Sequence, residues 1–158
     1  MAIDPYREAA GHFTTGVAVI TTLHEGRRYG VTASAVSSVS LDPPMLLVCL
    51  NQRLPTRDAV VEARHFAVNV LAEHQAELAL QFATRSEDKF QGVGVTAGRH
   101  GVPLLADALA HLECTVMEPV DAATHTVLLA EVDEVAVSAG GPLTYFRGSF
   151  GRFEGVAA

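Results

Sequence analysis

The residues most suited to chemistry in this chain lie in a small, hydroxylated stretch between two apolar segments. Thr32–Ser40 consists only of Ser, Thr, Ala and Val, and Leu41-Asp42-Pro43-Pro44 follows it. Small side chains let the backbone come close to a flat ligand, while hydroxyl and amide groups can bond to its polar edge. The Pro-Pro pair predicts an extended break, because proline fixes φ and restricts the residue before it. On composition alone, a serine-rich loop is the simpler interpretation.

Two further polar residues follow at the ends of predicted elements. Asn51 ends the apolar strand Met45–Leu50, where its amide either meets a ligand edge or simply ends the strand in a turn. Thr56 follows Pro55 at the start of a predicted helix, where backbone N–H groups and the helix dipole favour an anion such as a phosphate. An ordinary N-cap explains Thr56 equally well. Together with the hydroxylated stretch, these residues could accommodate a ring system, its polar rim and an anion.

Other chemistries are excluded by spacing. The glycines of Gly92–Gly98 miss the G-x-G-x-x-G pattern by one residue and follow charged residues rather than a buried strand. The sequence contains neither a phosphate loop ending in Gly-Lys-Ser/Thr nor a G-x-S-x-G nucleophile elbow. His111 and Cys114 are three residues apart, which on a strand points them to opposite faces, so metal binding is not expected.

Three short helices are predicted. Asp4 suits the N-cap of the first, Pro5–Ala10, and Gly11 suits its C-terminal end. The second is Thr56–Arg64, with Thr56 able to cap its first turn. The third is Ala72–Ala83, in which hydrophobic side chains four residues apart share one face.

Most of the remaining chain is predicted to form strands. Met45–Leu50, continuously apolar, is expected to be buried on both faces, and Thr84–Gly101 is expected to be an irregular surface excursion. The other predicted strands are Phe13–Leu23, Arg28–Ser34, Phe66–Leu71, Ala108–Val120, His125–Ser138 and Leu143–Phe146. Few helices separate them, so the pattern favours a mainly β, antiparallel barrel over a doubly wound parallel sheet.

Length, charge and cysteine content limit the functional class. A chain of 158 residues is most simply one domain, residues 1–158. Its net charge of −7 argues against nucleic acid as a partner, and its apolar runs are too short to span a membrane. Cys49 and Cys114 lie in strand-like sequence and are expected to be buried and reduced, with a disulfide between them as the alternative that spacing alone leaves open. The first residues lack the basic start and apolar core of a signal peptide, so a cytoplasmic location is expected.

An ordered set of motifs from Phe13 to Gly151 resembles the short-chain flavin reductase family. The matching pieces are Phe13-Thr14-Thr15-Gly16-Val17, Val31-Thr32-Ala33-Ser34, Ser38-Val39-Ser40-Leu41-Asp42-Pro43-Pro44, Cys49-Leu50-Asn51, Phe66-Ala67-Val68-Asn69-Val70-Leu71, Asp88-Lys89-Phe90, Leu112-Glu113-Cys114 and Leu143-Thr144-Tyr145-Phe146-Arg147-Gly148. The resemblance implies an antiparallel Greek-key split β-barrel, the FMN-binding split barrel, with a few short helices and a homodimeric assembly. It also implies binding of FMN or FAD, reduction of that flavin by NADH or NADPH, and its delivery to a separate monooxygenase.

The resemblance also implies a set of flavin-binding residues. Those lining the isoalloxazine ring would be Thr32, Ala33 and Ser34. Ser38 and Ser40 would lie along the ribityl and phosphate path, with Val39 between them in the cofactor site. Asn51 would lie near the ring or chain and Thr56 at the phosphate. Lys89 would border the same pocket, although a solvated surface lysine is its simpler interpretation.

The nicotinamide side of the implied site depends on two further segments. It would be bordered by Tyr145, Phe146, Arg147 and Gly148. The family often carries Gly-Asp-His before a strand containing Gly-Glu-Val, and that histidine is associated with nicotinamide binding or hydride transfer. Here the sequence has Ala123-Thr124-His125 and then Ala130-Glu131-Val132. His125 is therefore the candidate catalytic residue, and Thr124 cannot supply the charge of an aspartate beside it.

Three functions follow from these observations. The first is an NAD(P)H:flavin oxidoreductase, in which hydride passes from nicotinamide C4 to flavin N5. The second is a flavin-binding protein of the same fold whose nicotinamide activity is lost or redirected to an oxidative tailoring step, as the changed residues before His125 suggest. The third is a non-enzymatic scaffold, which would neither purify yellow nor gain thermal stability from added flavin.

Overall fold

The computed structural model describes residues 4–157 and is mainly β, with antiparallel sheets and few helices, as the sequence predicts. The N-terminal residues 1–3, on which the signal-peptide interpretation partly rests, and residue 158 lie outside the described part. The helices are α1 (Pro5–Ala10), α2 (Pro55–Ala63) and α3 (Ala76–Ala83), with a 3₁₀ turn at Arg99–Gly101. The strands are β1 (Thr15–Gly16), β2 (Ala18–His24), β3 (Arg27–Ala33), β4 (Val36–Leu41), β5 (Pro44–Asn51), β6 (His65–Val70), β7 (Val95–Ala97), β8 (Pro103–Leu105), β9 (Ala110–Ala122), β10 (His125–Val137), β11 (Leu143–Phe146) and β12 (Ser149–Arg152).

Seven strands form one antiparallel sheet in the order β3-β2-β6-β9-β10-β5-β4. Its two edge strands, β3 and β4, are consecutive in the chain and are joined by only Ser34 and Ala35. The backbone N–H of Cys49 donates to the carbonyl of Ala35 at 3.0 Å, which holds this link against β5. The three Cα–Cα steps from Ala33 to Val36 span at most about 10 Å, so the sheet must curve until its edges approach each other there. Smaller sheets, β1-β11-β12 and β7-β8, complete the structure.

Two hydrophobic clusters hold these elements together. The larger cluster packs α2 against the seven-stranded sheet through fully buried side chains such as Ile20, Val60 and Phe66. The second places Phe82 of α3 against the other side of β2 and against β11, where Leu143 is also buried. Apolar burial on both sides of β2 therefore holds α2, α3, β11 and the central strands of the large sheet in place.

Helices α1 and α2 show how far local chemistry predicts structure. Helix α1 has the predicted bounds, and Asp4 Oδ1 accepts a hydrogen bond from the Tyr6 N–H at 3.0 Å. Helix α2 begins one residue earlier than predicted, with Pro55 in its first turn. Its N-cap is Leu54, without a side-chain cap, so the prediction that Thr56 caps this helix is wrong. Proline suits the first helical position, which moves Thr56 one step inside the helix.

Several sequence-based expectations are wrong because the elements form through contacts between segments that are separate in the chain. Val36–Leu41 is strand β4 rather than loop, and the Asp42-Pro43 turn joins it directly to β5. Strand β5 alternates between buried and half-buried residues, so the expectation that both its faces are buried is wrong. The predicted strand over Phe13–Leu23 is interrupted at Val17, and α3 starts at Ala76 instead of Ala72. The predicted excursion includes strand β7 and the 3₁₀ turn.

Both cysteines are free thiols, in agreement with the expectation that they are reduced. Cys114 is buried, and burial raises the pKa of its thiol to about 12. Cys49 is only half-buried, contrary to the expectation for its strand. Between residues 4 and 157 no helix is long and apolar enough to cross a membrane.

Candidate functional site

His125 and Asn51 are neighbours across the sheet. His125 is the first residue of β10 and pairs directly with Asn51, the last residue of β5. A tight turn at Ala123 and Thr124, with Ala123 at φ +53°, brings the chain back from β9. Gln52 holds this corner, because its backbone N–H donates to the Thr124 carbonyl at 3.0 Å and its side chain donates to the His125 carbonyl at 3.2 Å. The pairing of distant strands thus joins two of the sequence-predicted residues.

The side chains at this corner have defined hydrogen-bond partners. Thr124 Oγ1 lies 2.8 Å from Nδ1 of the exposed His125 ring, which leaves Nε2 for a substrate. Asn51 Oδ1 accepts a hydrogen bond from the Arg53 N–H at 2.9 Å, as in an Asx turn. The amide nitrogen of Asn51 is the group that remains for a ligand. Asn51 therefore both ends the strand and presents a donor.

The start of α2 lies against the same strand. Thr56 is buried at its second helical position, beside Arg57. The Arg57 guanidinium donates to Thr126 Oγ1 at 2.9 Å and forms ion pairs with Asp58 at 2.9 Å and Asp121 at 3.3 Å. Arg57 thus ties the helix start to the residue after His125. Sequence reasoning missed Arg57, since no motif or spacing connects it to β10.

A second group of predicted residues lines an open cleft of about 460 Å³. Its lining includes Ser34, at the link between β3 and β4, together with Tyr145, Arg147 and Gly148. Arg147 and Gly148 have φ of +49° and +85° and form the two-residue turn between β11 and β12. Positive φ at both positions is the type I′ geometry that matches the twist of a hairpin, and glycine adopts it without strain. The hairpin thereby projects Arg147 into the cleft lining.

The remaining lining of the cleft, here called the α1 wall, comes from residues that were not among the predicted site residues. It consists of Arg7 and Glu8 of α1 together with Phe13 and Thr15. Thr15 pairs with Tyr145 across β1 and β11, and its hydroxyl is buried with no hydrogen-bond partner among the described residues. A buried hydroxyl without a partner costs free energy, which a polar ligand atom could recover. The motif that begins at Phe13 and includes Thr15 had marked these two residues as part of the family pattern. Nothing in the sequence indicated that Arg7 lines the cleft.

Ser38, Val39 and Ser40 lie on the edge strand β4. The register with β5 shifts between Ser38 and Ser40, so Val39 sits at a bulge. Ser40 Oγ accepts a hydrogen bond from the Asp42 N–H at 3.3 Å. Because β4 is an edge, the backbone N–H and C=O groups on its far side are open to a partner or ligand.

Three predicted residues are engaged with the core or with α3 rather than with the cleft. Thr32 Oγ1 donates to the Ala79 carbonyl in α3 at 2.6 Å, and Ala33 is buried. Lys89 Nζ donates to the carbonyls of Gly30 at 3.0 Å and Phe82 at 3.2 Å. Burial lowers the pKa of Lys89. Lys89 is therefore not a fully solvated surface lysine; its ammonium group joins one carbonyl of β3 to one C-terminal carbonyl of α3.

The arrangement suits an organic ligand. Within residues 4–157 no group of three or more His, Cys, Asp or Glu side chains is placed to hold a metal ion. The cleft volume falls in the range of about 300–1,000 Å³ that small-molecule sites occupy. Its aromatic, hydroxyl and guanidinium groups fit a flat ring system that carries polar and anionic substituents.

Comparison with known proteins identifies the family. Residues 10–154 match the model of the flavin reductase like domain. The chain belongs to the flavin reductase-like family. The resemblance drawn from the motifs is thereby confirmed, together with the enzyme class it implies, an oxidoreductase that works on a flavin with a nicotinamide nucleotide.

Individual relatives agree with this family. The chain is 49% identical over 148 residues to the reductase component of a 4-nitrophenol 4-monooxygenase/4-nitrocatechol 2-monooxygenase from Rhodococcus opacus, covering 94% of this chain and 80% of that one. It is 40% identical to a flavin reductase (NADH) from Kitasatospora aureofaciens, with 95% and 81% covered. Among solved structures, the NADH:FAD oxidoreductase of Streptomyces globisporus C-1027 in complex with NAD and FAD fragments has a TM-score of 0.92 at 34% identity, with 100% of this chain and 99% of that chain covered.

Proposed function

We propose that this protein is an NAD(P)H-dependent flavin reductase that supplies reduced flavin to a separate monooxygenase. The observation that carries the proposal is the cleft, whose lining combines Ser34, Tyr145, Arg147 and Gly148 with the buried, unpartnered hydroxyl of Thr15. The high identity to a monooxygenase reductase component supports the choice of partner. FMN and FAD share the same ring and first phosphate, so both are candidate flavins, with NADH or NADPH as the reductant.

The bound cofactors supply the redox chemistry, in which a hydride passes from nicotinamide C4 to flavin N5. The chain must then hold the two rings together and stabilise charge that develops on the flavin. Backbone groups of the link at Ser34 and of strand β4, where Ser38, Val39 and Ser40 lie, would hold the ring edge and ribityl chain. Fixed hydrogen-bond donors of this kind stabilise developing charge without reorganising during the reaction. Thr32 and Ala33 would contribute through their backbone, and Lys89 by holding α3 in place.

Asn51 and His125 would act from the neighbouring corner of the sheet. The free amide of Asn51 would donate to the flavin, while the start of α2 at Thr56 would favour its phosphate. His125 would present Nε2 to the nicotinamide, with Nδ1 held by Thr124. Tyr145 and Phe146, both partly exposed on β11, would border the nicotinamide ring together with the Arg147-Gly148 turn. Holding the two rings at a reactive distance supplies much of the rate enhancement in such transfers.

We further propose that the described residues fold as one flavin reductase-like domain and that the curved sheet is a Greek-key split β-barrel. The two-residue link between the edge strands supports this shape, because it brings the two sheet edges together at one point. Two free cysteines agree with a reducing compartment such as the cytoplasm, where disulfides are rare.

A homodimer is also proposed, on the basis of one apolar face. Leu47 pairs with Leu129, and Cys49 pairs with Val127, so these four half-exposed side chains share one face of β5 and β10. The alternation along both strands places His125 and Asn51 on that same face. A second copy covering it would therefore lie beside the candidate site. Leu129→Glu should convert a dimer to a monomer in analytical ultracentrifugation, whereas Leu80→Glu, at an exposed position on α3, should not; a wild-type monomer would contradict the proposal.

One observation favours a second function. Ala123 and Thr124 precede His125 without an acidic residue, so the chain could retain flavin while its nicotinamide reaction is lost or redirected to an oxidative step. Steady-state oxidation of NADH and NADPH, each with FMN and FAD, separates the two functions. A reductase oxidises the nicotinamide in at least one of the four pairs, while flavin binding without turnover in any pair supports the second function.

A further inference from the structure

The cleft contains two positive charges that the protein itself does not neutralise. The side chains of Arg7, on α1, and Arg147, at the turn between β11 and β12, both line it. Among the described residues no carboxylate oxygen lies within 4 Å of either guanidinium, although Arg57, Arg99 and Arg152 all have such partners. Glu8 is the one carboxylate in the cleft lining. The cleft lining therefore includes two guanidinium groups, from α1 and from the β11–β12 turn, that have no ion-pair partner among the described residues.

We infer that Arg7 and Arg147 hold the phosphate groups of a nucleotide substrate, so that α1 forms part of the substrate site and Arg7 is a specificity-determining residue. This inference rests on the proposed function. Guanidinium groups suit phosphates because their planar fork of N–H donors matches two phosphate oxygens. The hydroxyl of Thr15 lines the same cleft without a hydrogen-bond partner among the described residues and offers a further donor. The phosphate belongs either to the nicotinamide nucleotide or to the flavin, and a flavin phosphate held here would replace its proposed position at the start of α2.

The position of α1 makes Arg7 separable from the rest of the fold. No residue of α1 is buried, so its side chains contribute little to the core. Glu8 lines the same wall and carries the opposite charge, which opposes a bound phosphate. Removing the charge of Arg7 and removing that of Glu8 should therefore change phosphate recognition in opposite directions, which a general loss of folding would not do.

The experiment compares Arg7→Gln and Glu8→Gln with the wild-type enzyme in pairs of substrates that differ only in phosphate. One pair is reduced nicotinamide mononucleotide and reduced nicotinamide riboside; the other is FMN and riboflavin. Arg85→Gln is the matched control, because Arg85 is exposed, carries the same charge and does not line the cleft. Steady-state kcat/KM is measured for each protein at low and at high salt, since screening weakens exposed charge interactions.

Arg7→Gln should lower kcat/KM at least about tenfold for the phosphate-bearing member of one pair, as expected for a lost hydrogen bond to a charged group. It should leave the phosphate-free member of that pair unchanged, and the loss should shrink at high salt. Glu8→Gln should raise kcat/KM for the same phosphate-bearing substrate. The pair that responds identifies the source of the phosphate.

Equal effects on both members of each pair, or no effect in either pair, would overturn the inference. Wild-type turnover separates this result from failure of the proposed function. If the wild-type enzyme reduces flavin and Arg7→Gln behaves as Arg85→Gln does, only the inference about Arg7 is wrong. If the wild-type enzyme oxidises neither nicotinamide nucleotide with any flavin, the proposed function itself is wrong.

Discussion

The hydroxyl of Thr124 lies 2.8 Å from Nδ1 of His125, at the corner where β10 begins beside Asn51. A neutral hydroxyl fixes the orientation of the imidazole without adding a charge next to it. Among the described residues this is the one side-chain hydrogen bond that the imidazole makes, and we propose that it directs Nε2 towards the substrate. On this proposal Thr124 is a positioning residue for His125.

Removing that hydrogen bond should weaken the reaction without removing the histidine. Thr124→Val keeps the shape of the side chain and should lower kcat about twofold to tenfold, the range for loss of one neutral hydrogen bond. Thr124→Ser retains the hydroxyl and should restore most of the activity. Steady-state kinetics with NADH and the preferred flavin measure both variants. Equal activity of the valine and serine variants would show that the contact does not position His125.

His125 itself should affect nicotinamide use more than flavin binding. His125→Ala removes the imidazole ring and with it Nε2. We expect kcat/KM for the nicotinamide substrate to fall about tenfold or more. The flavin dissociation constant, measured by fluorescence quenching, should stay within about twofold. His74→Ala, at an exposed histidine between β6 and α3, is the control. A loss of flavin affinity without a kinetic effect would place His125 at the flavin instead.

Replacing Gly30 of β3 by alanine tests how closely α3 packs against that strand. A Cβ at Gly30 would lie 2.5 Å from Cε1 of Phe82, whose side chain is fully buried. Gly30→Ala should therefore lower the free energy of unfolding by about 1–3 kcal/mol through overpacking. Gly16→Ala is the matched control, because nothing lies within 4 Å of the added Cβ. Urea unfolding measures both; equal effects would contradict the close packing of Phe82 on Gly30.

The buried thiol predicts how stability changes in alkali. Burial raises the pKa of Cys114 from 9.0 to about 12. Between these values the unfolded chain loses the thiol proton while the folded chain keeps it. This term therefore lowers stability as pH rises from 9.0 towards 12, by at most about 1.4 kcal/mol per pH unit. Cys114→Ala should make the loss of unfolding free energy with pH less steep; an unchanged slope would contradict this origin.

The sequence predicted the parts of the fold that depend on local chemistry. Asp4 and Pro5 define α1 because an N-cap acceptor and a proline at the first turn need only their own neighbours. The strand Leu143–Phe146 was predicted with its observed bounds, because its alternation and flanking turn residues are local as well. Strand β4 was missed, because its small, polar residues become a strand only through pairing with β5.

The candidate site was predictable only where motifs carried it. The resemblance named Ser34 and Tyr145–Gly148, and the structure brings Ser34, Tyr145, Arg147 and Gly148 to one cleft. It gave no sign that Arg7 lines the same cleft, since the elements that meet at a cleft are set by the tertiary fold. The contacts of Lys89 were unpredictable for the same reason: its partners, the carbonyls of Gly30 and Phe82, come from two other elements. Long-range contacts of this kind leave no periodicity in the sequence.

The most direct test of the central claim is an anaerobic titration of the purified protein, with FMN or FAD present, by NADH or NADPH. The flavin absorbance is followed as each nicotinamide nucleotide is added. We predict that the oxidised flavin band bleaches in proportion to the nucleotide added in at least one pair, and that oxygen restores it. A flavin that stays oxidised in all four pairs while bound to the protein would contradict the account.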